Sequence, residues 1–122
     1  MKRKTAELQG AALDWAVAKC EKFERWYFNS FDERVLIGFA EEIFSPSHNW
    51  AQAGPIIERE NIALRPSHMQ GWWEAYVADS DLDMDNDCHV EGPAPLIAAM
   101  RCYVAFKLGD EVDIPDELEN QA

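Results

Sequence analysis

Apolar residues recur at helical spacing in two long stretches of this chain and alternate in several short ones. The densest stretch runs from Gly92 to Gly109. Ile97, Met100, Val104 and Leu108 share one helical face, and Leu96, Ala99, Tyr103 and Phe106 widen it almost round the cylinder. Arg101 and Lys107 interrupt it, so such a helix packs against neighbours on most sides. Proline suits the first turn, where a missing N–H loses no partner, and Gly109 supplies the positive φ that closes many helices. The pattern predicts a helix over Pro93–Leu108 with Met100 and Val104 in the core. Thr5 predicts the cap of a first helix over Ala6–Lys22, with Leu8, Ala12, Trp15 and Ala16 on one face and Phe23 extending it. Inside that helix Gly10 reads as a penalty of ~1 kcal/mol against alanine.

Between these helices the periods are shorter. Trp26-Tyr27-Phe28 and Val35-Leu36-Ile37 are rich in strand formers, and Asn29-Ser30-Phe31-Asp32 can turn one into the other. The stretch from Phe31 to Phe44 also fits a helical face through Val35, Leu36, Phe39 and Ile43, but the hairpin is the preferred reading. Ser45-Pro46-Ser47-His48-Asn49 predicts a turn, with Ser47 or Asn49 capping a helix over Trp50–Glu60. Pro55 must fall in its first turn or kink it, and Asn61 is a left-handed stop. Ile62–Arg65 and Trp72–Ala78 predict two strands joined by residues 66–71. In the second, Trp73, Ala75 and Val77 face one way and Trp72, Glu74 and Tyr76 the other.

Together these elements predict an α+β fold, in which a small, mainly antiparallel sheet of three to five strands is packed by three helices in a sandwich-like arrangement. At 122 residues the chain is long enough to bury a core without metal or disulfide staples. Residues 1–112 are expected to form one domain and residues 113–122 an acidic tail, frayed beyond Pro115. No run approaches the ~18 apolar residues of a membrane span. Met1-Lys2-Arg3-Lys4 resembles the basic start of a signal peptide, but Glu7, Gln9 and Asp14 fall where its apolar core would sit, so export is not expected.

Charge narrows the partners. The formal net charge is −12, and it is uneven: residues 1–34 hold seven basic and six acidic residues, the remainder four and seventeen. Such a field repels phosphate backbones and disfavours direct nucleic-acid binding. A basic partner remains open, as does mimicry of a nucleic acid's charge.

Several segments together resemble the NinX family, small proteins of tailed bacteriophages of enteric bacteria. The resemblance is carried by the run Glu7-Leu8-Gln9-Gly10-Ala11-Ala12-Leu13-Asp14-Trp15-Ala16-Val17-Ala18-Lys19-Cys20. It continues in Phe44-Ser45-Pro46-Ser47 and in Trp50-Ala51-Gln52-Ala53-Gly54-Pro55-Ile56-Ile57-Glu58-Arg59-Glu60. It finishes in Pro95-Leu96-Ile97-Ala98-Ala99-Met100-Arg101-Cys102-Tyr103-Val104-Ala105 and Leu108-Gly109-Asp110-Glu111-Val112. The departures fall in residues 21–43 and in the acidic stretch after Ala78. The resemblance implies a phage accessory protein with an α/β sandwich, at work in the cytoplasm of an infected host. It carries over a scaffold and no catalytic residues.

Candidate chemistry is sparse. Asp79, Asp81, Asp83, Asp85 and Asp87 alternate like calcium ligands, but a calcium loop also needs glycine at the sixth place and glutamate at the twelfth. Counted from Asp79 those places hold Met84 and Val90; counted from Asp81 they hold Asn86 and Gly92. A zinc site drawing on Cys88 and His89 with His48, His68, Cys20 or Cys102 lacks a second paired motif. Cys20 and Cys102 read as small buried apolar side chains, and the carboxylates around Cys88 oppose a thiolate. No metal or cofactor is therefore expected, and no catalytic motif is visible. The remaining cluster is Ser47, His48, Trp50 and Arg59 with His68, Trp72 and Trp73. Its first members open a helix, where free N–H groups favour an anion, and its tryptophans offer flat surfaces. If the fold joins them, they would form a pocket for an anionic or nucleotide-like ligand; otherwise the tryptophans are core and Ser47 a cap. The resulting expectation is a non-enzymatic binding module whose partner is a host or phage protein, with self-association allowed. The alternatives are a nucleotide-like small-molecule binder or sponge, an acidic DNA mimic that inhibits a host defence enzyme, and, least favoured, a hydrolase.

Overall fold

A computed structural model of the protein describes residues 2–77 and 90–121. The aspartate ladder Asp79–Asp87 and the Cys88-His89 pair lie outside the described residues. Among those described, the order is β1 (Lys2–Lys4), a 3-10 turn (Thr5–Glu7), α1 (Gly10–Cys20), β2 (Trp26–Asn29), β3 (Arg34–Ile37), β4 (Glu42–Phe44), α2 (Trp50–Arg59), β5 (Ile62–Pro66), β6 (Trp73–Val77), β7 (Val90–Gly92), α3 (Pro95–Leu108), β8 (Glu111–Asp113) and a closing 3-10 helix (Asp116–Gln121). The fold is α+β. Its strands, however, form three small antiparallel sheets, β1-β8, β2-β3-β4 and β5-β6-β7, in place of one.

The helix α3 is the centre of the packing. Nine consecutive residues, Leu96–Val104, are buried, because α3 lies on β5, β6 and β7 and also meets α1 and α2. Met100 and Val104 are fully inaccessible. The helix starts at Pro95, two residues later than the pattern predicts, and ends at Gly109 with φ +94°. β7 approaches its first turns so closely that a Cβ on Gly92 would fall 2.7 Å from the Ala98 nitrogen. Arg101 does not interrupt the buried surface but joins it. Its Nε donates to the Leu8 carbonyl (2.7 Å) and its Nη1 to that of Glu91 (3.0 Å). Two carbonyls thus accept from a guanidinium that burial penalises.

α1 is shorter at both ends than predicted. Thr5 does not cap it: the Thr5 hydroxyl donates to the Gly109 carbonyl (2.6 Å), bracing the N-terminal segment against the end of α3. Gly10 sits at the helix start with φ +57°, where glycine is favoured, so its expected penalty does not apply. The predicted hairpin forms, with Trp26 opposite Ile37 and Asn29 opposite Arg34. It gains a third strand, since β4 pairs with β3, and the alternative helical face through Phe39 and Ile43 is not realised. Trp26 meets Trp15 of α1 edge-on at 6.0 Å. α2 is capped by Asn49, whose Oδ1 accepts from the Ala51 N–H (2.9 Å); Ser47 is not the cap. Pro55 lies past the first turn of α2 on an exposed side, and Asn61 follows with φ +55°.

The C-terminal residues are tied to the core. β8 pairs with β1, Lys2 opposite Asp113 and Lys4 opposite Glu111. Beyond it Ile114 is 2% exposed and Leu118 fully buried, and the closing 3-10 helix meets α1. Packing therefore continues past residue 112 and past Pro115. Two apolar residues in this acidic segment, Ile114 and Leu118, carry the packing beyond β8.

Candidate functional site

The turn between β4 and α2 is fixed by side chains from α2 and from the distant α1. Gln52, in α2, reaches back: its Nε2 donates to the Ile43 carbonyl (2.8 Å) and its Oε1 accepts from the Ser45 N–H (2.7 Å). From α1, Asp14 Oδ1 accepts from the Ser47 N–H (2.9 Å). Ser47 Oγ in turn lies 2.8 Å from His48 Nδ1. Asp14, Ser47 and His48 thus form a polar chain that runs from the buried side of α1 to the exposed start of α2. When the Ser47 hydroxyl gives its proton to Asp14, His48 Nδ1 is the donor to Ser47 Oγ, which fixes the tautomer.

Asp14 is the unusual member. It is 5% exposed within an otherwise apolar run, Ala11–Ala18. Burial pushes its carboxyl up to about 7, against a partial pull downward from the Ser47 backbone N–H and hydroxyl. Near neutral pH it therefore exists in both protonation states, a property that clusters at functional sites.

An open cavity of about 660 Å³ lies over this chain. Gly10, Ala11 and Asp14 supply one wall from the start of α1; Ser45, His48 and Asn49 of the turn into α2, with Trp50 at its start, supply another. The β2–β3 turn brings Asp32, Glu33 and Arg34, and β4 brings Ile43. The turn is shaped locally: Asn29 Oδ1 accepts from the Phe31 N–H (2.9 Å), and Glu33 takes the left-handed backbone, φ +55°, uncommon for a residue with a side chain. Trp50, 58% exposed, and Ile43, 42% exposed, give the rim an apolar edge. Three carboxyl groups face one guanidinium, so the lining is acidic.

The seven residues singled out in the sequence fall in three places. His48 and Trp50 line the cavity, and Ser47 lies beneath them at 2% exposure. Arg59 is at the far end of α2, roughly 14 Å along the axis from Trp50 at 1.5 Å per residue. It pairs with Glu21 Oε2 (2.6 Å) and Glu60 Oε2 (2.8 Å) and donates to the Tyr103 hydroxyl (3.2 Å). His68 is exposed in the β5–β6 turn, Trp72 is half-buried after it, and Trp73 packs from β6 onto the core. Neither Arg59 nor this hairpin lines the cavity.

Asp14, Asp32, Glu33 and Arg34 were not among the residues singled out. Asp14 carried a usable signal, as the lone carboxyl in an eight-residue apolar run. The other three carried none, because their position depends on how the β2–β3 turn meets α1. The acidic lining also changes the chemistry expected at the start of α2, where an anion was anticipated: the chain's own Asp14 carboxyl already takes the Ser47 N–H. Elsewhere Cys20 is half-buried, with its thiol pushed up to about 12 mainly by burial, which leaves it an inert side chain at neutral pH. Among the described residues no group of histidine, cysteine and carboxylate side chains could hold a metal ion, and no helix is long and apolar enough to cross a membrane.

A family model described as Bacteriophage P22, NinX matches residues 4–107. No curated protein matches the chain.

Proposed function

The chain belongs to the NinX family of bacteriophage P22, and from that premise we propose that it is a non-enzymatic phage accessory protein that binds a host or phage protein in the infected cell. The observation that carries this reading is the cavity between α1 and α2, with Trp50 exposed at its rim and a polar floor held in place by Asp14, Ser47 and Gln52. Binding energy at protein interfaces concentrates on a few large side chains, tryptophan foremost, set beside pockets. A preformed concave site with a small number of fixed polar groups is also the usual setting for recognition. Ser47 supports a binding role over a nucleophilic one. It is almost inaccessible, and its hydroxyl is held between His48 and Asp14.

Trp72, another tryptophan of the cluster read from the sequence, is the competing anchor. It is half-buried, whereas Trp50 presents more surface and borders the cavity, so the contact is assigned to Trp50. Affinity capture from phage-infected cells, run in parallel with the wild type, Trp50→Ala and Trp72→Ala, tests this. A partner held by the wild type and by Trp72→Ala but lost from Trp50→Ala supports the reading. Loss from Trp72→Ala alone would move the interface to the β5–β6 hairpin. Retention by both variants, with release in ~0.5 M salt where screening acts within a few ångströms, would favour charge mimicry over an aromatic anchor.

A further inference from the structure

We propose that the cavity between α1 and α2 receives the guanidinium group of an arginine side chain presented by the partner, stacked on Trp50 and paired with the carboxylates of Asp32 and Glu33. The inference deepens the binding reading and rests on it, since it names the chemistry of the group that enters the site.

Charge sets the sign. Among the described residues, Asp14, Asp32 and Glu33 face the cavity together with Arg34 and His48, within a chain of formal net charge −12. An anionic ligand would meet this lining at a cost, and a cation is drawn to it. Solvated carboxylates by themselves would make only an acidic patch. Two further features make a site of this one. Asp14 is more than nine-tenths buried and still lines the cavity, so an entering cation meets a carboxyl that water has largely left, where electrostatic attraction is stronger. Trp50 places an exposed indole at the rim, and a planar cation is attracted to the face of such a ring.

Those two demands select arginine over lysine. Guanidinium is flat, stacks on aromatic rings, gives up its hydration more readily than ammonium and engages carboxylates with two parallel N–H donors. The apolar stem of the same side chain would lie along the apolar edge given by Trp50 and Ile43.

Proton linkage follows from the same geometry. The charged or titratable groups facing the cavity are Asp14 from α1, Asp32, Glu33 and Arg34 from the β2–β3 turn and β3, and His48 from the turn before α2. With Asp14 held at about 7, its ionised fraction rises from about a tenth at pH 6 to about nine-tenths at pH 8. Arginine binding is accordingly expected to tighten with rising pH, by up to about tenfold over that interval.

The test is a titration of the full chain with the peptide acetyl-Gly-Arg-Gly-amide, followed through the Trp50 indole resonance by NMR. The control peptide carries citrulline, an uncharged side chain of nearly the same shape, in place of arginine. Expected results are a saturable shift with the arginine peptide, binding at least about tenfold weaker for citrulline, tighter arginine binding at pH 8 than at pH 6, and loss of most affinity in the exposed variants Asp32→Asn and Glu33→Gln. Equal binding of both peptides, tighter binding at the lower pH, or no saturable shift at Trp50 would overturn the proposal. None of these failures would touch the capture of a partner through Trp50, which is judged separately in infected cells.

Discussion

Replacing Asp14 with asparagine keeps an oxygen to accept the Ser47 N–H while removing the charge that burial disfavours. Burial pushes the carboxyl up to about 7 in the folded chain against an ordinary value of 3.8. Each unit of difference corresponds to ~1.4 kcal/mol, so ionising this buried group sets about 4 kcal/mol against the fold. The direction follows from which state holds the proton. Between the two values the folded chain keeps a proton that the unfolded chain has released. Stability from this group is therefore complete below pH 3.8 and is lost as pH rises towards about 7, after which it stays level. Urea melts followed by tryptophan fluorescence, run on wild type and Asp14→Asn at about pH 5 and about pH 8, isolate the group, because every other carboxylate is common to both chains. The variant's advantage should widen by ~3 kcal/mol between the two conditions. A gap that stays constant with pH would show that Asp14 is not ionised at a cost, and would remove the basis for coupling cation entry to its proton.

Other substitutions test the packing. Gly92→Ala would drive a Cβ to 2.7 Å from the Ala98 nitrogen and 3.0 Å from its Cα; backbone atoms yield poorly, so denaturant melts should show a loss of ~1–3 kcal/mol, and unchanged stability would mean that β7 sits further from α3. Met100→Ala removes a fully buried side chain and should cost ~2–5 kcal/mol, whereas a loss below ~0.5 kcal/mol would place α3 on the surface. Leu118→Ala, also at a fully buried position, should cost a similar ~2–5 kcal/mol; a neutral result by the same melts would mean that the C-terminal residues are dispensable to the core.

What could be read from the sequence was local. The α3 helix was legible because its apolar residues recur on almost every face and proline and glycine mark its ends. Both hairpins were legible from alternating strand formers around turn residues. β4 was not: the turn that leads into it puts Glu41 at φ +53°, and a glutamate there gives no warning of a left-handed backbone. The pairing of Lys2–Lys4 with Glu111–Asp113 joins residues more than a hundred positions apart, beyond the reach of any periodicity. The same holds for the site. His48 and Trp50 were found because they flank a helix start, but the carboxylates that decide which ligand fits come from α1 and the β2–β3 turn. A carboxyl in an apolar helix, Asp14, and a guanidinium in another, Arg101, are the two positions where the pattern itself points to a distant polar partner. Each breaks a hydrophobic run, and each is buried and satisfied by a distant segment.

β1 pairs with β8 across more than a hundred intervening residues. During synthesis Lys2–Lys4 have no strand to join until Glu111–Asp113 follow. The bond from Thr5 to the Gly109 carbonyl waits equally long. α1 takes cover from α3 and the closing 3-10 helix as well as from β3, so part of the apolar surface around Leu13 and Val17 has no cover until those later elements are made. The β1–β8 pairing and the Thr5 bond thus raise the contact order of the fold, and long-range contacts of this kind slow folding.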